Sequence, residues 1–165
     1  MNDSNNKGVI LIVDDEVDLT KTLKGFFMAL GYDMLTAFDG NEAMKVIDSV
    51  HNIDLILLDI KMPGVDGVTI LKKLRKEHPK TKVIVITAYD KESTAVVEKI
   101  GINGCMAKPI DISKLLDRIK YLFKSVYGKK TSFCLWRRSV LERIIKNVYG
   151  IEQAGGNIAE GKNFL

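Results

Sequence analysis

Residues 9–15 have the sequence VILIVDD, an apolar run that stops abruptly at two acidic residues. Five consecutive apolar residues, most of them branched, predict a strand that is buried on both faces, as in a parallel sheet. The same arrangement recurs in LILLD at residues 55–59 and in VIVIT at residues 83–87. Three buried strands that each end in a polar side chain therefore indicate the fold and mark one edge of its sheet.

Helical patterns alternate with these strands. Residues 17–30, for example, repeat apolar side chains at spacings of three and four, which is typical of an amphipathic helix. The sequence predicts helices at 17–30, 41–49, 68–78, Lys91–Ile100 and Ile112–Tyr127, and two weaker strands at Asp33–Ala37 and Gly104–Ala107. Five strand-then-helix units predict an α/β fold with a doubly wound, five-stranded parallel sheet. Such sheets bind ligands outside the carboxyl ends of their strands.

The composition is that of one globular domain with a short appendage. The chain has 165 residues, of which 46% are hydrophobic and 28% charged. No apolar run approaches the roughly 20 residues of a membrane helix, so we expect a cytoplasmic protein with no membrane contact. Two cysteines and two histidines favour neither a disulfide framework nor a zinc site. We predict a disordered lead at 1–7, a domain at 8–126, a linker at 127–135 and a helical tail at 136–165.

The net charge of +4 is unevenly distributed. Residues 1–123 have a charge balance of −1, whereas residues 124–165 have a balance of +5. A basic tail indicates either contact with an acidic partner or nucleic acid, or simply a solvated surface.

The polar groups at the strand ends form the candidate site. If the first strand is central, the carboxylates of Asp14, Asp15 and Asp59 converge there with the Thr87 hydroxyl and the Lys108 ammonium. Clustered carboxylates are the hard oxygen ligands that Mg²⁺ prefers, and the backbone carbonyl of Lys61 would add another ligand. Asp59, alone at its strand end, is the candidate nucleophile for phosphoryl transfer. Thr87 and Lys108 would bind the phosphoryl oxygens.

Each of these residues also has an ordinary explanation. Asp15 is a suitable helix cap, an aspartate such as Asp59 often ends a strand, Thr87 is an ordinary strand-end residue, and Lys108 is a solvated surface lysine. Four such coincidences at one sheet edge are much less probable than a shared site. A metal-dependent phosphatase of related fold would need a second aspartate two residues after its nucleophile, and Lys61 occupies that position.

Four segments, ILIVDDE at 10–16, LLDIKMPGVDG at 57–67, ITA at 86–88 and AKP at 107–109, resemble the receiver domains of two-component response regulators. The resemblance extends over about residues 7–126. It implies a flavodoxin-like (βα)5 fold similar to that of the chemotaxis regulator, with a cis Lys108–Pro109 bond. It also implies a phosphorylation-dependent switch rather than an enzyme. The phosphoryl group would come from a sensor histidine kinase or a phosphotransfer protein, with Mg²⁺ as cofactor. Whether the chain forms a homodimer is left open.

One position departs from this pattern, and two others refine it. Many receivers have Phe or Tyr three residues before the lysine, whereas this chain has Cys105. Signalling through a threonine–aromatic switch is therefore not expected, and rearrangement of loops and helices is expected instead. Lys61 lies two residues after Asp59, and Tyr89 lies two residues after Thr87. In this pair of residues the chain resembles the receiver of the sporulation phosphorelay. Our hypothesis is that Lys61 and Tyr89 shield the acyl phosphate from water, which would favour a long-lived or relayed signal.

The basic tail leaves two classes of output. The chain is either a receiver that acts through protein contacts or a DNA-binding transcriptional regulator. LER at 141–143 and GGNIAE at 155–160 faintly resemble the start of a helix-turn-helix module, so the tail would be a partial, truncated output segment. A dimerising or docking helix is the other interpretation of the same residues.

Overall fold

The structure is a computed structural model that describes residues 7–88 and 91–127. Within those residues, strands and helices alternate strictly along the chain. In order they are β1 (Val9–Val13), α1 (Val17–Ala29), β2 (Asp33–Ala37), α2 (Gly40–Ser49), β3 (Leu55–Leu58), α3 (Gly67–Glu77), β4 (Lys82–Thr87), α4 (Lys91–Ile100), β5 (Gly104–Ala107) and α5 (Ile112–Tyr127). The predicted linker from residue 128 onward and the predicted tail lie outside the described residues.

The five strands form one parallel sheet in the order β2-β1-β3-β4-β5. The predicted doubly wound α/β fold is confirmed, and this strand order is the flavodoxin-like one. The middle strand is β3 rather than β1, which lies beside it. Because the strands are parallel, all their carboxyl ends lie at one edge of the sheet.

Helices cover both faces of the sheet. Alternate strand residues point to opposite faces, so each strand contributes to two apolar layers. On one face, buried residues of β1, β3 and β4 pack with the apolar sides of α2, α3 and α4: Leu11, Val13, Ile56, Leu58, Val83, Val85, Ala43, Ile47, Ile70, Leu71, Leu74 and Val97. Buried side chains of α1 and α5 include Leu23, Phe27, Leu115 and Ile119. No helix among residues 7–88 and 91–127 is long and apolar enough to cross a membrane.

Several predicted boundaries were wrong by one residue. Helices α2 and α3 begin at Gly40 and Gly67, because the preceding Asp39 and Asp66 are the N-caps. The Asp39 carboxylate accepts a hydrogen bond from the Glu42 amide at 2.8 Å. The helix expected at 17–30 ends at Ala29, and β4 begins at Lys82, one residue before the VIVIT run, and includes Thr87.

Gly67 brings the start of α3 close to the end of β3. A Cβ at this position would overlap the carbonyl of Asp59 and the backbone of Ile60. The Gly67 amide donates a hydrogen bond to the Ile60 carbonyl at 3.1 Å. The loop after β3 is therefore folded back tightly against the residue that follows the strand.

Candidate functional site

Hydrogen bonding between parallel strands continues one residue beyond the strands themselves. Three amides at the carboxyl edge donate to the last carbonyl of a neighbouring strand: Asp14 to Ala37 at 3.1 Å, Asp59 to Val13 at 2.9 Å and Lys108 to Thr87 at 3.0 Å. The sheet thereby fixes the backbones of three of the predicted site residues. Their side chains project from one edge of the sheet.

The two inner carboxylates are buried and held by their own loops. Asp14 is 3% exposed and Asp59 is 4% exposed. Oδ1 of Asp14 accepts a hydrogen bond from the Glu16 amide, and Oδ1 of Asp59 accepts one from the Lys61 amide, both at 2.9 Å. An aspartate that binds the backbone two residues further on fixes the turn after its strand. One oxygen of each carboxylate is thus held by a local turn.

The second oxygen of each of these carboxylates, Oδ2, binds Lys108. Its ammonium lies 2.7 Å from Oδ2 of Asp59 and 2.9 Å from Oδ2 of Asp14. A third carboxylate, that of Glu16, contacts the same ammonium at 2.6 Å. An ammonium has three donors, so each is used by a different carboxylate.

These contacts change the pKa of two groups. Burial raises the pKa of Asp14, and its hydrogen bonds to Lys108 and to the Glu16 amide only partly oppose that rise. Burial acts to lower the pKa of Lys108, but hydrogen bonds to Asp59, Glu16 and Asp14 outweigh it and raise that pKa. Lys108 is therefore a permanent cation among carboxylates at any ordinary pH.

Asp14, Asp15 and Asp59 each offer a carboxylate oxygen, and these three oxygens lie within 4.8 Å of one another. Asp15 is exposed, so the group opens to solvent on one side. Oxygen ligands at this spacing fit a small hard cation, with room for water on the open side. The predicted convergence of these three carboxylates is confirmed, and the donor set is one that Mg²⁺ accepts.

Among the described residues, the hydroxyl of Thr87 has no hydrogen-bond partner. Thr87 is the last residue of β4 and is 1% exposed, yet its Oγ1 contacts no donor or acceptor in the described part of the chain. A buried hydroxyl without a partner costs about 1–3 kcal/mol. Such a group at a ligand-binding edge fits a role in binding an oxygen of a substrate.

The remaining predicted residues have different outcomes. The Lys108–Pro109 peptide bond is cis, as expected. Cys105 lies on β5, is only partly buried, and packs against the buried cluster that contains Val85 and Val97. The amide of Lys61 binds Asp59, while a metal-binding role of its carbonyl stays a prediction. Tyr89 lies outside the described residues.

Glu16 and Thr20 are two contributors to which the sequence prediction gave no role. Glu16 binds Lys108, and the buried Thr20 hydroxyl donates to the Asp14 carbonyl at 3.3 Å. The only sequence signal for Glu16 was its acidic type directly after two aspartates. Thr20 gave a weaker signal, a polar residue on the apolar side of α1.

A flavodoxin-like sheet with a buried acidic cluster and a lysine at its carboxyl edge defines the receiver class of signalling domains. The family model described as the response regulator receiver domain matches residues 10–120. The chain therefore belongs to the response regulator receiver family and is a receiver domain of a two-component system. Receiver domains bind Mg²⁺ at an acidic site, and response regulators receive phosphate from histidine kinases.

The chain is also similar in sequence to individual proteins that are longer than it is. The transcriptional regulatory protein CpxR of Escherichia coli is 36% identical over 116 residues, which are 70% of this chain and 49% of CpxR. A cyclic di-GMP phosphodiesterase of Thermotoga maritima is 28% identical over 161 residues, 94% of this chain and 41% of that protein. The chain thus spans about half the length, or less, of these relatives.

One solved structure is directly relevant to the acidic cluster. The response regulator TrrA of Thermotoga maritima, in complex with Mg²⁺ and BeF, is 33% identical, with a TM-score of 0.63. The match covers 70% of this chain and 98% of TrrA.

We expect Lys108→Met to destabilise the protein when Mg²⁺ is absent. The substitution leaves the buried carboxylates of Asp14 and Asp59 without their cation, and removing one partner of a buried ion pair costs about 3–5 kcal/mol. Urea unfolding at neutral pH measures the effect. Lys114→Met is the matched control, because Lys114 is exposed and its ion pair with Asp111 is 3.5 Å long. Equal stability of the two variants would contradict the structural role of Lys108.

Proposed function

We propose that the chain accepts a phosphoryl group on Asp59, with Mg²⁺ held by Asp14, Asp15 and Asp59. The observation that supports this most directly is the buried Asp59 carboxylate, whose Oδ2 lies 2.7 Å from the Lys108 ammonium. A carboxylate attacks phosphorus readily only when positive groups neutralise the charge on the phosphoryl oxygens. Lys108 is one such group, and the neighbouring carboxylates would bind the other.

The proposed roles follow from position and chemistry. An oxygen of Asp59 forms the new O–P bond while the P–N bond of a phosphohistidine donor breaks. Lys108 pairs with one phosphoryl oxygen, and the Thr87 hydroxyl, which has no partner within the described residues, donates to another. Bound Mg²⁺ would neutralise the remaining charge on the phosphoryl group. The backbone carbonyl of Lys61 is proposed as a further metal ligand.

The proposal includes a sensor histidine kinase or a phosphotransfer protein as the donor, and a cytoplasmic location where such donors act. The family membership and the site chemistry support the kind of donor but not its identity. The product is a switch whose state is set by an aspartyl phosphate. A homodimer is compatible with this function and is not needed for it.

We expect Asp59→Asn to abolish labelling by a small acyl phosphate or phosphoramidate donor in the presence of Mg²⁺. The amide cannot attack phosphorus, although it fills almost the same space as the carboxylate. Labelling is measured as an acid-stable, alkali-labile phosphoryl group on the intact chain, and a chelator should prevent it. The matched control is Asp18→Asn, an exposed aspartate of α1 that should be labelled as the wild type is. Labelling that survives Asp59→Asn would refute the assignment.

We also propose that Lys61 and Tyr89 slow hydrolysis of the aspartyl phosphate. The Lys61 amide binds Oδ1 of Asp59, so its side chain begins beside the acceptor and is exposed. Tyr89 follows the Thr87 end of β4 by two residues. Both side chains would then exclude water from the carbon–oxygen–phosphorus linkage.

We expect Lys61→Ala and Tyr89→Ala each to speed loss of the phosphoryl group about three- to tenfold, since removing a shield lowers the barrier by roughly 1 kcal/mol. The rate is followed after the donor is removed, with Mg²⁺ held constant. Lys72→Ala, at an exposed position of α3, controls for the loss of a charge. Unchanged rates of phosphoryl loss in both variants would refute the shielding hypothesis.

A second candidate output is DNA binding. It is favoured by the balance of +5 in residues 124–165 and by relatives such as CpxR, which is described as a transcriptional regulatory protein. The phosphodiesterase relative shows that the same kind of receiver also occurs with a different output. The main proposal is therefore limited to the phosphoacceptor, and DNA binding is kept as its alternative.

Duplex binding by the full chain at several salt concentrations separates the two outputs. A DNA-binding tail predicts an affinity that falls steeply with salt, and Arg137→Gln/Arg138→Gln should reduce the slope by about 2, one unit for each phosphate that is no longer neutralised. A tail that acts through protein contacts predicts binding that is weak and unaffected by the double substitution. Fluorescence anisotropy of a labelled duplex measures both.

A further inference from the structure

Among the three carboxylates that bind Lys108 in the described part of the chain, only that of Glu16 lies at the surface. Its side chain is 60% exposed, against 5% for Asp14 and 5% for Asp59, and it contacts the ammonium at 2.6 Å. The Lys108 side chain itself is 16% exposed. The ammonium therefore lies between two buried carboxylates on its inner side and one exposed carboxylate on its outer side.

The backbone of Glu16 is fixed although its side chain is exposed. Glu16 is the N-cap of α1, its amide donates to Oδ1 of Asp14, and its carbonyl accepts from the Thr20 amide at 3.0 Å. An N-cap side chain usually binds a free amide of the first helical turn, and Ser, Thr, Asp and Asn do this best. Here no side-chain cap is formed, and the carboxylate binds Lys108 instead. A residue that departs from the usual N-cap chemistry in this way is expected where its side chain has a function.

The ammonium and a metal ion compete for the same oxygens. A magnesium ion binds carboxylate oxygens at about 2.0–2.1 Å, whereas Lys108 now occupies Oδ2 of both buried aspartates. Two cations on those oxygens repel strongly, because the surroundings are largely shielded from water. When Mg²⁺ enters, the ammonium must withdraw from at least one aspartate, and Glu16 is the carboxylate toward which it can move.

We propose that Glu16 is a positioning residue that draws the Lys108 ammonium outward and so frees the inner carboxylates for Mg²⁺. Lys108 then keeps a charged partner at the mouth of the site, beside the place where a phosphoryl group on Asp59 would present its oxygens. This role rests on the proposed function, in which those carboxylates bind Mg²⁺. Glu16 itself contacts neither the metal nor the phosphoryl group.

Magnesium binding to the full chain, measured by titration calorimetry without any phosphoryl donor, tests the role. We expect Glu16→Gln and Glu16→Asp each to weaken Mg²⁺ binding roughly three- to fivefold, the size expected for an ion pair with one exposed partner. Glu16→Asp is decisive, because it keeps the charge but is too short by one methylene to reach Lys108. Asp18→Asn removes an equal charge from the same surface of α1 and should change the affinity by less than about 1.5-fold.

The Lys108→Met background shows whether Glu16 acts through the lysine. In that background Glu16→Gln should change Mg²⁺ affinity no more than Asp18→Asn does in the wild type. Thermal unfolding of Glu16→Asp should be unchanged or improved, since aspartate is the better N-cap, so weaker binding would not reflect loss of the fold.

Two results would overturn the positioning role alone. One is wild-type affinity in Glu16→Asp with reduced affinity in Glu16→Gln, which would mean that only the charge matters. The other is an equal loss from Glu16→Gln with and without Lys108, which would mean that Glu16 acts on the metal directly. A wild-type chain that binds no Mg²⁺ would instead overturn the proposed function, and this role with it.

Discussion

The continuation of parallel pairing beyond the strand ends is the constraint on which the site depends. Each of the amides of Asp14, Asp59 and Lys108 is bound to a strand carbonyl, so these residues stay at the sheet edge whatever their side chains experience. Like charges held this close would separate if they lay on free loops. The paired backbone and the apolar layers beneath it supply the stability that keeps them together.

Negative charge is concentrated at this edge of the sheet. Asp14, Glu16 and Asp59 share the Lys108 ammonium, Asp15 lies close to Asp14 and Asp59, and burial raises the pKa of Asp14. A divalent ion would relieve that excess of negative charge, and a phosphoryl group on Asp59 would add to it again. In the proposed function, metal binding and phosphorylation would therefore be coupled through the same few oxygens. Movement of Lys108 between its partners would let one site accept both.

Much of this arrangement was predictable because its signals are local. An unbroken apolar run followed by an aspartate identifies both β1 and β3 and the group at their ends, and parallel pairing then brings those groups together. The helix starts were missed by one residue because the glycine directly after each N-cap, Asp39 or Asp66, already lies inside the helix, although glycine disfavours helices. The contact between Glu16 and Lys108 joins residues 92 positions apart, and no local pattern indicates it.

The residue type at Cys105 favours a way of transmitting the signal other than an aromatic switch. Its β5 position pairs with Val85, and Val85 and Thr87 lie on the same face of β4, so the cysteine is on the same side of the sheet as the unpaired hydroxyl. A thiol has no aromatic ring that could change its rotamer and move inward when Thr87 moves. The side chain instead packs against the buried cluster that contains Val85 of β4 and Val97 of α4. If Thr87 moved toward a phosphoryl oxygen, its displacement would therefore reach α4 through this packed cluster rather than through an aromatic ring.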